Sequence, residues 1–63
     1  MEEYFIQNRD ERIFLGTTKL LDKYLSLGHT IYMIKDDVVS IVATPEKGWL
    51  IDKPIIPVPI KFA

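Results

Sequence analysis

The chain has 63 residues, 48% of them apolar and none of them cysteine. A chain of that size forms one domain with a thin core, held by no disulfide or thiolate-bound metal, so packing or further copies of itself must stabilise it. Eight basic and nine acidic residues give a net charge of −1 with no basic block, which argues against non-specific nucleic-acid binding, and no run is long and apolar enough to span a bilayer.

The opening Met1-Glu2-Glu3 is acidic and lacks the positive region of a secretory signal, so a cytoplasmic location is expected. Tyr4-Phe5-Ile6-Gln7 is aromatic and β-branched and reads as a strand. Asn8 to Arg12 is fully polar and reads as a turn, and Ile13-Phe14-Leu15 returns as a second strand. A single helix from Glu2 to Phe14 competes with this hairpin, because Glu2, Glu3, Glu11 and Arg12 all tolerate helix.

Gly16-Thr17-Thr18 punctuates the chain, and a threonine here suits a helix N-cap. Leu20, Leu21, Tyr24, Leu25 and Leu27 then recur at helical spacing, with Lys19, Asp22, Lys23 and Ser26 between them. Gly28 stands where a left-handed residue ends a helix, so one amphipathic helix is expected from Thr18 to Leu27.

Thr30 to Lys35 and Val38 to Thr44 are β-rich runs separated by Asp36-Asp37. A two-residue loop places Thr30, Tyr32, Ile34, Val39, Ile41 and Ala43 on one face, which suits the helix. The opposite face carries Ile31 with Val42, Met33 with Ser40, and Lys35 with Val38, and is still mostly apolar. Asp-Asp is a weaker hairpin signal than Asn-Gly, so a longer loop would shift this register. Pro45-Glu46-Lys47-Gly48 reads as a further turn and Trp49 to Asp52 as a further strand. Residues 53–63 hold three prolines and are expected to be an extended arm or edge strand. Pro57 and Pro59 would block one edge, and Ile56, Val58 and Ile60 would share a face with Phe62.

Little in this chain carries chemistry. His29 is the lone histidine and follows the helix-ending glycine, where a cap near helix carbonyls accounts for it. General-base or metal use would need partners that the sequence does not place nearby. Asp36-Asp37 could be half of a cation site, but calcium binding needs further oxygen ligands at set spacing, so turn chemistry explains the pair. The hydroxyl residues have no nucleophile context, and Gly16, Gly28 and Gly48 are isolated, so no phosphate-cradling loop exists. Neither catalysis nor a cofactor or metal is expected. Size and composition resemble those of small phage and plasmid proteins, without a motif to carry the likeness further.

The expected fold is α+β, one amphipathic helix on a small antiparallel sheet of three to five strands. The chain has too little mass to cover both apolar faces of that sheet, so a homo-oligomer, most simply a dimer, is expected. The expected interface is Ile31, Met33, Val38, Val42 and Trp49 together with the arm residues Ile56, Val58 and Ile60. An unidentified protein target fits the same surface, as does a place in a larger assembly reached through the arm. A helix followed by a hairpin also suggests a winged-helix DNA-binding module, with Arg9, Arg12 and Lys35 as phosphate contacts.

Overall fold

The structure is a computed structural model that describes residues 2–57. One helix packs on a five-stranded antiparallel sheet, an α+β arrangement. The strands are β1 (Glu3–Asn8), β2 (Glu11–Leu15), β3 (Ile31–Lys35), β4 (Val38–Thr44) and β5 (Gly48–Trp49), in the spatial order β2-β1-β3-β4-β5. The helix, α1 (Thr18–Ser26), connects β2 to β3. Both of these strands run antiparallel to β1, so they are parallel to each other and the connection passes over β1.

The N-terminal segment is a hairpin rather than a helix. Asn8 pairs with Glu11 across a two-residue loop, and Arg9 takes a left-handed φ of 57° there. The side-chain amide of Gln7 donates to the carbonyl of Arg9 at 2.7 Å and holds that turn.

Both ends of the helix are closed by local chemistry. Thr17 is extended, and its hydroxyl accepts the Leu20 N–H at 3.2 Å. At the other end Gly28 has φ 96°, the Gly28 N–H donates to Leu25 and the His29 N–H to Tyr24. These two bonds make a Schellman motif, and the His29 ring adds an edge-on contact with Tyr24 at 5.7 Å. His29 is therefore part of the helix stop.

Asp36 and Asp37 both have positive φ, 51° and 63°, which is the type I′ geometry of a two-residue hairpin. The register next to that turn is the expected one: Lys35 with Val38, Ile34 with Val39, Met33 with Ser40 and Tyr32 with Ile41. It then shifts. Ile31 pairs with Ala43, not with Val42, so Val42 is an extra residue in β4. A bulge breaks the alternation, and Val42 and Ala43 both end up in the core. The last strand is shorter than expected. Only Gly48 and Trp49 pair, and the Leu50 N–H still reaches the Val42 carbonyl before the chain leaves the sheet.

The core lies between the helix and one face of the sheet. Tyr4, Ile6, Leu15, Leu21, Ile31, Val42 and Ala43 form it, and Met33, Trp49 and Ile56 pack against it. The chain beyond Asp52 comes back to the start of the helix. Thr18 donates its hydroxyl to the Pro54 carbonyl at 2.7 Å and accepts the Ile56 N–H at 2.6 Å. Its own N–H, one of the free donors of the first helical turn, donates to the Ile56 carbonyl. Lys53 adds an exposed ion pair to Asp22 at 3.2 Å. As far as Pro57 this segment is a strap across the helix start. An edge strand further along, with Val58 and Ile60, lies outside the described residues.

Candidate functional site

Strand alternation puts Tyr4, Ile6, Ile13, Leu15, Ile31 and Met33 beneath the helix and leaves the intervening residues on the other face. The centre of that open face is a row across four strands. Phe14 pairs with Phe5, Phe5 with Tyr32, and Tyr32 with Ile41. The rings are in contact: Phe5 and Phe14 have centroids 5.5 Å apart, and Phe5 and Tyr32 stack at 5.4 Å with 16° between their planes. The Arg12 guanidinium lies over the Phe5 ring at 4.8 Å.

These neighbours leave Phe5 only 2% exposed. Phe14, Val39 and Ile41 are not enclosed in this way, with 52%, 42% and 51% of their surface exposed. None of the described segments therefore covers this face. A second row lies two residues along the strands, where Glu3 pairs with Ile34 and Ile34 with Val39.

The expected interface falls elsewhere. Ile31 and Val42 are fully buried under the helix, and Met33, Trp49 and Ile56 pack against the same core. Val38 is exposed, but at the β3–β4 turn beyond the reach of the nine-residue helix. Val58 and Ile60 lie outside the described residues. The two faces of the β3–β4 hairpin are thus exchanged relative to the expectation. The two faces differ little in apolar content, so the residue pattern does not distinguish them. What decides is the connection. A crossover between parallel strands has a strongly preferred right hand, and that hand selects the face the helix lies on.

The three basic residues offered for DNA contact do not gather. Arg9 is in the β1–β2 turn and Arg12 lies over Phe5, while Lys35 is at the opposite end of the strands, paired with Glu2 at 3.6 Å. The strand rise separates Arg9 from Lys35 by roughly 20 Å.

A cleft of about 520 Å³ opens where β2 ends, lined by Glu2, Glu3, Tyr4, Phe14, Leu15 and Ile56 among others. Its walls are chiefly apolar, with Glu2, Glu3 and Tyr4 as the groups that can carry charge. The Tyr4 hydroxyl donates to Glu2 at 3.2 Å. Burial pushes the Tyr4 phenol above its ordinary pKa, and the bond to Glu2 and the charge of Glu2 push the same way. Among the described residues no cluster of three or more His, Asp or Glu side chains could hold a metal ion, and no helix is long and apolar enough to cross a membrane.

Phe5, Phe14 and Arg12 lie outside the protein interface expected from the sequence. The signal was present in the hairpin: a two-residue loop at Arg9-Asp10 sets Phe5 opposite Phe14 and puts both on the face away from Tyr4 and Ile6. No protein family matches the chain, and no curated protein or solved structure resembles it significantly.

Proposed function

We propose that this protein is a small non-enzymatic regulator of the cytoplasm that acts through protein–protein contact and works as a homodimer through its open sheet face. The observation that carries this reading is the row Phe14–Phe5–Tyr32–Ile41, an apolar band on a face that the described chain does not cover. Contiguous exposed patches of this kind mark interaction surfaces, and aromatic residues with arginine are enriched in interface cores. The cleft beside Phe14 is chiefly apolar, which supports a binding role over a catalytic one.

The test is absolute mass in solution by light scattering after size exclusion, over a wide concentration range. The wild-type chain is expected to shift from monomer to dimer as concentration rises. Ile41→Asp, which places a charge in the middle of the open face, is expected to stay monomeric with an unchanged circular dichroism spectrum. Equal masses for the folded variant and the wild type at every concentration would refute the reading.

A further inference from the structure

The open face has a layout that a copy of itself would match. Its central row is Phe14–Phe5–Tyr32–Ile41, with the Arg12 guanidinium resting on Phe5. Its second row is Glu3–Ile34–Val39. Over β1 the first row therefore carries a cation, the guanidinium of Arg12 reaching across from β2, and the second row carries the carboxylate of Glu3, while on β3 and β4 both rows are apolar. The ion pairs among the described residues, Lys35–Glu2 and Lys53–Asp22, involve neither Arg12 nor Glu3.

Building on the homodimer reading above, we infer that a second copy seats on this face about a two-fold axis running across the strands between the two rows. Such an axis exchanges the rows. Tyr32 of one copy meets Ile34 of the other, Ile41 meets Val39, and Arg12 meets Glu3, each contact occurring twice, as an isologous interface requires. The strands of the two sheets stay roughly aligned, which is the common way for sheets to stack. Stacked sheets lie about 10 Å apart. The Arg12 guanidinium, 4.8 Å from the Phe5 ring centroid on the open face, is a group that a carboxylate from the facing sheet can approach. A different apolar partner would need an acid and a base at this same spacing, whereas a second copy brings both by symmetry.

The patch is small. Two rows across four strands span roughly 20 by 15 Å with their margins. That is well below the ~800 Å² per partner of a standard interface, so the dimer dissociates on dilution. Its specificity comes from the crossed Arg12–Glu3 pairs, since apolar rows alone would slide.

Charge reversal with rescue tests the arrangement. Sedimentation velocity on the full chain compares wild type, Arg12→Glu, Glu3→Arg and the double exchange R12E/E3R. Each single exchange sets like charges against each other and is expected to weaken dimerisation at least tenfold. The double exchange is expected to return it to within about threefold of wild type. Arg12 also covers Phe5, so Arg12→Glu is checked for folding. Glu3→Arg changes an exposed side chain and stands as the deciding single variant if Arg12→Glu unfolds.

Dimerisation that is lost in Ile41→Asp but unmoved by Glu3→Arg would overturn the two-fold arrangement while leaving the open face as the interaction surface. Failure of the double exchange to rescue while folded would also overturn it. A wild-type chain monomeric at millimolar concentration would overturn both.

Discussion

The two faces of this sheet are both rich in apolar side chains, yet they are buried by different means. Between helix and sheet, Leu21 of α1 and Ile31 of β3 are wholly excluded from solvent by the packing of one element on the other. On the open face Phe5 is nearly as inaccessible with no element above it, enclosed by Phe14, Tyr32 and the Arg12 guanidinium from the two neighbouring strands. Enclosure by neighbours reaches only the middle of a patch. Phe14, Val39 and Ile41 at its margins stay half exposed. A side chain can therefore be buried while the face that carries it remains available for contact.

The largest expected contrast is in stability. Leu21→Ala removes a fully buried side chain between two layers and is expected to cost about 2–5 kcal/mol. That is a large share of what so small a domain holds, and the variant is expected to be mostly unfolded in water. Ile41→Ala, on the open face, is expected to stay within about 1 kcal/mol of wild type when both are unfolded with urea in dilute solution, where association is negligible. Comparable losses for the two would mean that the open face is a second core and would break the contrast.

A smaller effect sharpens the account of how the helix side is closed. Thr18→Val keeps the shape of the side chain but removes the hydroxyl that donates to Pro54 and accepts from Ile56. The expected cost is about 1–2 kcal/mol, with faster hydrogen exchange at the Ile56 amide. An unchanged exchange rate at Ile56 would show that the strap is held by the packing of its own side chain.

The smallest effect is a pH dependence. The Tyr4 phenol has a raised pKa in the fold, first because it is buried and then through Glu2. A group raised in this way contributes stability below its unfolded value, and that contribution is lost as pH climbs through the raised folded value. Stability is expected to decline above about pH 10, and less steeply in Tyr4→Phe. Parallel declines in the two proteins would assign the effect to other groups.

Local rules read off the sequence located most elements. Leu20, Leu21, Tyr24 and Leu25 with Gly28 mark the helix, and the two-residue loop at Asp36-Asp37 gives the register beside it correctly. Two features were not legible by those rules. The bulge at Val42 leaves no trace in a strand rich in consecutive β-branched residues, because adding one residue to an apolar strand changes no residue type. The face the helix covers depends on the path of the chain from β2 over β1 to β3, a property of connectivity that no single segment encodes. The candidate surface was displaced for that reason. Its expected members Ile31, Met33 and Val42 sit on the same hairpin as Tyr32 and Ile41, but on the other side of it.

The hydrogen bonds of Thr18 also set an order of events at the ribosome. The hydroxyl of Thr18 answers to backbone groups 36 and 38 residues further along. At translation rates of about 5–20 residues per second, Thr18 is made roughly 2–8 s before Ile56 exists. Through that interval the first turn of the helix has an N–H and a hydroxyl with no partner but water, and the slot that Ile56 fills stands open. The strap is thus a late latch on the helix start, and whatever handles the chain before Ile56 is made meets a helix start that the folded protein no longer displays.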